Sequence, residues 1–114
     1  MTIEGFIIDW LNSNLDGVNA SGSVTHPMPD EFVTVEKTGG SYDDHIKGAT
    51  IAVQSWSTSR ANAAELNEAV KAIMERATEN DEISRCNLDS DYNFTDLASN
   101  KPRYQAVFDV VYYL

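Results

Sequence analysis

The segment "GATIAVQSWSTSRANAAELNEAVKAIMERA", from Gly48 to Ala77, predicts a strand that is followed at once by the longest helix of the chain. Its first nine residues alternate, with apolar side chains on one predicted face and a mixed set on the other. The apolar face holds Ile51 and Val53, and the mixed face holds Ala52, Gln54 and Trp56. This pattern predicts a sheet that has a helix packed against one side.

The helix is predicted from Arg60 to Ala77. Asn62, with Glu65 three residues later, matches the pattern of a capping box at its start. Apolar residues then recur at the spacing of one helical face. They are Leu66, Val70, Ile73, Met74 and Ala77.

A second helix is predicted near the start of the chain, from Thr2 to Leu15. Thr2 is a suitable N-cap, and Asp16-Gly17 ends the segment. Its apolar residues also share one face, namely Ile3, Phe6, Ile7, Trp10, Leu11 and Leu15. We therefore expect this helix to cover the same sheet.

The remaining segments supply the other strands. Phe32 to Val35 has the β-branched and aromatic bias of a strand, and Val18 to His26 and Arg85 to Phe94 are weaker candidates. The final "YQAVFDVVYYL", Tyr104 to Leu114, alternates or is apolar throughout. Its backbone groups need partners on both sides, so we expect it in the middle of the sheet.

The predicted fold is α+β, with one domain over residues 1–114. A mostly antiparallel sheet of four to five strands would carry the two main helices, Thr2–Leu15 and Arg60–Ala77, on one face. The expected core comprises Phe6, Trp10, Ile51, Val53, Leu66, Val70, Ile73, Phe108 and Val110.

A glycine pair interrupts the first clear strand, "DEFVTVEKTGG" from Asp30 to Gly40. Glycine reaches backbone conformations that other residues reach only at a cost. We therefore predict that Gly39 and Gly40 end the strand and let the chain leave the sheet. The polar residues 38–48 would then form a projecting hairpin.

The charge balance restricts the partners. The chain has a formal net charge of −10 and an estimated pI of 4.3. Such a surface repels nucleic-acid phosphates and anionic lipid, so neither sequence-specific nucleic-acid binding nor membrane binding is expected. No run is apolar enough for a membrane span, the first residues do not resemble a secretory leader, and Cys86 is the only cysteine. These features predict a protein made in a reducing cytoplasm.

Residues with catalytic or ligand-binding chemistry are few. His26 and His45 lie in separate turn-like segments without a second ligand at metal-binding spacing. Cys86 has no histidine partner, and Asp43-Asp44 is typical of a solvated loop. "TGGSYDD" lacks the phosphate-loop and dinucleotide patterns, and "LDSDYN" lacks the glycine and glutamate of a calcium loop. We therefore expect no catalytic residue, metal or cofactor.

The order of segments resembles a known family. It is carried by "IEGFIIDWLN", "THPMPDEFVTVEKTGG", "TIAVQSWSTSRANAAELNEAVKAIM" and "RYQAVFDVVYYL", which together cover most of the chain. These segments look like those of tail terminator proteins, also called tail completion or minor capsid proteins, of long-tailed bacteriophages. The closest approach to a motif is "EKTGG" with the polar hairpin that follows it, and the Gln54-x-Trp56 strand that enters the helix.

The resemblance implies a structural virion protein, assembled in the host cytoplasm and placed at the head-proximal end of the tail. Copies would form a ring, typically a hexamer, that caps the tail tube, stops its polymerisation and joins it to the head connector. The expected partners are thus a second copy, the tail tube protein and the connector protein. An acidic wall suits a channel for DNA, since cationic walls would hold the phosphates.

Two sets of residues are candidates for contacts with other proteins. The hairpin set could contact the tube or a neighbouring subunit, or be a flexible loop with no contact. It consists of Gly39, Gly40, Tyr42, Asp43, Asp44, His45 and Lys47. Charges beside the strands could pair across a subunit boundary and set its register, although most would be solvated or paired within the chain. They are Glu31, Glu36, Lys37, Arg60, Lys101 and Arg103.

Two other classes of function remain open on the sequence. An acidic inhibitor, either a DNA mimic or antitoxin-like, would share the size and charge and would bind a basic partner in a salt-dependent way. A small enzyme would need polar groups that converge in a pocket, and His26, Cys86 or the region of Asp91 would have to provide them.

Overall fold

The computed structural model describes residues 1–114 as one five-stranded sheet, two α-helices and a short 3₁₀ helix. In chain order the elements are α1 (Ile3–Asn14), β1 (Ala20–Ser21), β2 (Phe32–Asp43), β3 (Ile46–Trp56), α2 (Arg60–Glu75), a 3₁₀ turn (Ala77–Glu79), β4 (Ile83–Asn93) and β5 (Arg103–Tyr112).

The sheet has the strand order β1-β2-β3-β5-β4. Only the short β1 pairs in parallel, with β2, and every other pair is antiparallel. Both helices pack on one face of the sheet, so the α+β prediction is confirmed. The final strand lies between β3 and β4, as expected from its apolar character.

Each helix begins at a residue whose side chain caps it. Thr2 Oγ1 accepts a hydrogen bond from the backbone N–H of Gly5 at 3.0 Å, which confirms the predicted cap of α1. At α2 the cap is Ser59, whose Oγ accepts from the N–H of Asn62 at 3.1 Å. The helix begins at Arg60, as predicted, but the predicted capping box of Asn62 and Glu65 is wrong, because Asn62 lies within the first turn and Ser59 is the cap.

The core lies between the helices and the sheet. It brings together Ile7 and Leu11 of α1, Val70 and Met74 of α2, and the facing residues of the central strands. Seven of the nine predicted core residues are buried, namely Ile51, Val53, Leu66, Val70, Ile73, Phe108 and Val110.

The other two predicted core residues, Phe6 and Trp10, are only partly buried and pack at the rim of the core. The indole Nε1–H of Trp10 donates to the carbonyl of Ile73 at 2.9 Å and so joins α1 to α2. A polar group of Trp that sits at the rim needs such a partner, which a fully apolar position would not offer.

The glycine pair does not end the strand. Gly39 and Gly40 lie inside β2 and pair with Thr50 and Ala49, so the chain stays in the sheet as far as Asp43. Neither glycine has a positive φ. A β-carbon at Gly40 would lie 2.9 Å from Cε of Lys37, but this atom is the end of a flexible side chain that can move aside.

Residues 38–48 form the distal part of the β2–β3 hairpin. The pairing of β3 with β5 continues to Lys47, which lies opposite Tyr112. Only the turn from Asp43 to Ile46 therefore extends beyond the end of β5. The molecule measures 43 × 26 × 23 Å, and 11 or 12 residues of strand at about 3.3 Å each account for its long axis.

The weaker strand candidates differ in outcome. Of Val18 to His26, only Ala20 and Ser21 form a strand, which Asn12 of α1 holds by two hydrogen bonds to the backbone of Ala20, at 2.8 and 3.0 Å. Strand β4 is longer than predicted and begins at Ile83. Its register shifts twice against β5. A bulged edge strand has a weak apolar pattern, which explains the imperfect sequence signal.

Candidate protein-interaction surface

The sheet face turned away from the helices carries a row of hydrogen-bonded polar side chains. The row crosses four strands: Trp56 Nε1–H donates to Thr34 Oγ1 (3.0 Å), Thr34 Oγ1–H to Gln54 Oε1 (2.6 Å), Gln54 Nε2–H to Gln105 Oε1 (2.5 Å) and Gln105 Nε2–H to the Tyr92 hydroxyl (2.5 Å). Thr34 and Gln54 are buried although no helix covers them. The row satisfies these groups, which makes their burial tolerable.

Beside this row lies a stack of aromatic rings and one arginine. The rings of Phe32 and Trp56 are stacked with their centroids 5.1 Å apart. The guanidinium carbon of Arg103 lies 4.7 Å from the Trp56 ring centroid and 4.2 Å from that of Phe94. Arg103 Nε–H also donates to the carbonyl of Phe94 at 2.6 Å. Two rings and one hydrogen bond therefore fix the plane of the guanidinium.

Arg103 keeps its positive charge in this position. Burial lowers the pKa of its guanidinium and the carboxylate of Asp96 opposes that effect, but an arginine still remains protonated at neutral pH. No acidic side chain lies within ion-pair distance of it. The three ion pairs of the chain are Lys71–Glu68, Lys71–Asp91 and Arg76–Glu79.

The connection between β4 and β5 holds the far side of this stack in place. The Asp96 carboxylate accepts hydrogen bonds from the Ser99 hydroxyl (2.5 Å) and N–H (3.2 Å), which lower the pKa of Asp96. Lys101 Nζ donates to the carbonyl of Asp30 at 3.0 Å. The connection is thus tied both to itself and to the start of β2.

A groove of about 470 Å³ runs over the row and ends against the stack. Its size lies within the range of roughly 300–1,000 Å³ that is typical of binding pockets. Its lining includes Val24, Thr34, Glu36, Gln54, Phe94 and Arg103. The groove therefore has a cation at one end and a carboxylate, that of Glu36, among its other lining groups.

The predicted hairpin residues gather at the opposite end of the sheet. Asp44 and His45 form a two-residue turn with positive φ angles of 49° and 66°. The Tyr42 hydroxyl lies 3.1 Å from His45 Nδ1, and the side chains of Asp43 and Asp44 are exposed without a hydrogen bond or ion pair. Lys47 donates to the carbonyl of Leu114. The turn therefore presents two unpaired carboxylates.

The structure separates the predicted cations from this turn. Arg60 is exposed at the start of α2, and Arg103 pairs with Trp56 at the end of the sheet away from the hairpin turn. The other strand-flanking charges form no ion pairs within the chain. Among them, Glu31 accepts a hydrogen bond from Ser57 Oγ at 2.8 Å.

A second polar cluster lies on the helix side of the sheet, at the edge strand β4. Lys71 Nζ lies 3.1 Å from Glu68 Oε1 and 3.2 Å from Asp91 Oδ2. Burial lowers the pKa of Lys71, but the two carboxylates outweigh it and the net shift is upward. Nearby, burial raises the pKa of the Cys86 thiol to about 12. A thiol of that kind stays protonated and is a poor nucleophile.

The groups considered for an enzyme do not converge. His26 lies in the connection before β2 and His45 in the hairpin turn, while Cys86 and Asp91 lie on the helix side of β4. No group of three or more His, Cys, Asp or Glu side chains is placed to hold a metal ion.

Sequence reasoning missed the residues that form the open face. Gln54 and Trp56 were placed on the correct face of β3, but their partners Thr34, Gln105 and Phe94 were not connected with them. A signal was present, since polar and aromatic residues stand two positions apart near one end of three strands. They are Phe32, Thr34 and Glu36 of β2, Gln54 and Trp56 of β3, and Arg103 and Gln105 of β5. Such a pattern shows which residues share a face, whereas the strand order shows which of them touch.

No protein family model matches this chain, and no curated protein matches it. Neither helix has the length and apolar character that a membrane crossing requires.

Proposed function

We propose that this chain is a tail terminator protein of a long-tailed bacteriophage. In this role, copies associate as a ring that caps the tail tube, stops its growth and joins it to the head connector. The resemblance in segment order gives the proposal its content, and the observation that carries it is the open sheet face. There a groove and an aromatic–arginine stack lie uncovered, with an acidic turn at the other end of the same sheet.

A closed ring needs two different patches on every subunit. Head-to-tail contacts place one patch of each copy on the other patch of the next, and they close when the rotation is right. The groove and the acidic turn differ in shape and charge, so they fit a contact of this kind. Arg and Tyr are also among the residues that most often dominate protein interfaces. Arg103 lines the groove, and the exposed Tyr92 packs edge to face against Phe94, which also lines it.

Strand-to-strand contact between copies is disfavoured. At the β2 edge, β1 covers Val33 and Thr34, and the carboxylate of Glu4 accepts the N–H of Lys37 at 2.9 Å. At the other edge, β4 is bulged near Ser84 and Asp89. Both features reduce the regular row of free backbone groups that an added strand needs. A contact through the open face is the better arrangement.

Capping of tubes is the test of the function. The purified protein is added to growing tubes of the tail tube protein from the same phage, and tube lengths are measured by electron microscopy. We expect short capped tubes with a ring at one end. Tubes of unchanged length and no bound ring would overturn the proposal. A protein that instead binds a basic partner, and loses it as salt rises, would be an acidic inhibitor.

A further inference from the structure

Arg103 has donors that nothing in its own chain uses. Its Nε–H is taken by the carbonyl of Phe94, while the two terminal nitrogens make no hydrogen bond and no ion pair. The rings of Trp56 and Phe94 hold the guanidinium between them. A guanidinium that is fixed in this way presents a ready fork for a carboxylate, because little side-chain freedom is lost on binding.

Within the groove, a carboxylate would bind best at the end where Arg103 lies. Thr34, Gln54 and Gln105 on its floor already pair with one another, so Arg103 supplies the uncommitted positive charge. Glu36 is four residues along β2 from Phe32, which stacks on Trp56. That spacing places Glu36 roughly 13 Å along the strand from the stack, at ~3.3 Å per residue. Repulsion between Glu36 and an incoming acid is therefore weak at the Arg103 end. The nearer acid is Asp96, which affects the pKa of Arg103, but its carboxylate accepts two hydrogen bonds from Ser99 and forms no ion pair with Arg103.

The hairpin turn has the charge and the apolar surface that the groove would bind. Asp43 and Asp44 are exposed and unpaired, and the tight turn with the Tyr42–His45 contact holds them in a defined position. Tyr42 and Ile46 beside them are 65% and 51% exposed, so the turn presents apolar surface next to its two carboxylates. An acidic turn with two apolar neighbours is complementary to a groove that ends in aromatic rings and one arginine.

We propose that the Asp43–Asp44 turn of one copy binds in the groove of a second copy, with a carboxylate paired to Arg103. The turn and the stack lie at opposite ends of strands 11 or 12 residues long, so one molecule cannot make this contact with itself. Each copy offers one turn and one groove, which produces a head-to-tail series. This inference rests on the proposed ring and identifies the two surfaces that form it.

Charge variants test the contact. The groove variant is Arg103→Glu, the turn variant is D43K/D44N, and the combined variant carries all three changes on one chain. Asn is chosen at position 44 because it tolerates the positive φ that Asp44 adopts. Matched controls are Arg85→Glu, an exposed arginine outside the groove, and D81K/E82Q, an exposed pair with the same change of charge.

Self-association is measured by sedimentation velocity over a wide range of protein concentration, with circular dichroism to verify folding. We expect the groove variant and the turn variant each to weaken association at least about tenfold, as for other close charge pairs at interfaces. The combined variant should recover most of the loss, because the substituted charges at positions 43 and 103 again have opposite signs. The controls should match the wild type. If Arg103→Glu does not fold, the exposed turn variant still tests the contact alone.

The outcomes separate this inference from the proposed function. Rings that persist in both the groove variant and the turn variant would overturn the turn-in-groove contact and leave the terminator proposal standing. Association that follows the charge pattern, without capping of tail tubes, would support the contact and overturn the terminator proposal. A wild type that stays monomeric at every concentration, free and on tubes, would overturn the contact. Binding of a basic protein at the Asp43–Asp44 turn in its place would identify a different partner and also overturn it.

Discussion

The two faces of the sheet are buried by different means. The helix face is apolar, and its side chains are covered by α1 and α2. The open face has no helix above it, yet Phe32, Thr34, Gln54 and Trp56 are all buried, with at most 8% of any of them exposed. There, neighbouring side chains cover one another by stacking and by hydrogen bonds. The first face therefore stabilises the fold through burial of apolar surface, while the second is stabilised by stacked rings and satisfied hydrogen bonds.

The largest expected effect lies on the helix face. Phe108 is 2% exposed and sits on the central strand β5. Phe108→Ala should lower the free energy of unfolding by about 3–5 kcal/mol, because it removes a large buried ring and leaves a cavity. Urea denaturation followed by circular dichroism measures it. Val107→Ala, on the open side of the same strand, is the control and should cost clearly less. Equal losses would show that the two faces contribute alike.

A smaller effect is expected on the open face. Gln54→Ala removes the middle of the polar row and leaves the hydroxyl of Thr34 without its acceptor. A buried donor that loses its partner costs about 1–3 kcal/mol, which the same urea experiment can measure. Asn87→Ala, at an exposed position of β4, should stay within about 0.5 kcal/mol of the wild type. A loss no larger than that for Gln54→Ala would mean that the row is not a stabilising network.

The cap of α2 tests how the helix layer is fixed on the sheet. Ser59→Ala removes the acceptor for the N–H of Asn62, and should cost about 1 kcal/mol of the free energy of unfolding. Glu65→Ala should have little effect, because Glu65 makes no capping hydrogen bond. Thermal or urea unfolding of both variants gives the comparison. A larger loss for Glu65→Ala than for Ser59→Ala would support the capping box of Asn62 and Glu65 instead.

The smallest effect concerns Cys86, which faces the helix side at the sheet edge. With its pKa raised to about 12 by burial, the thiol should react with iodoacetamide at pH 8 at least about tenfold more slowly than a cysteine at the exposed position 87. The variant for comparison is Cys86→Ser with Asn87→Cys. Because an unfolded cysteine ionises near pH 8.5, the free energy of unfolding should fall as the pH rises above that value. Equal labelling rates would mean that this edge is open to solvent.

The ring proposal depends on residues that sequence reasoning found separately. Tyr42, Asp43, Asp44 and Arg103 were all candidates for contacts between proteins, although the sequence could not show that the turn and Arg103 lie at opposite ends of one sheet. The guanidinium of Arg103, with its free donors, is held by the rings of Trp56, at the end of β3, and Phe94, in the connection after β4. Charge alone identified the residues, and only their placement made them two complementary surfaces.

The sequence by itself determined the fold class, the two helices, the central position of the last strand and most of the core. These features follow from hydrophobic periodicity, which is a local property of the chain. The tertiary structure decided that the Gly39-Gly40 pair stays within β2 and that Ser59 caps α2. It also decided that Thr34, Gln54 and Gln105 form one row. Each of these depends on contacts that hydrophobic periodicity does not encode, such as the pairing of Gly40 with Ala49. Within the sheet, the strand order and the register determine which residues make such contacts.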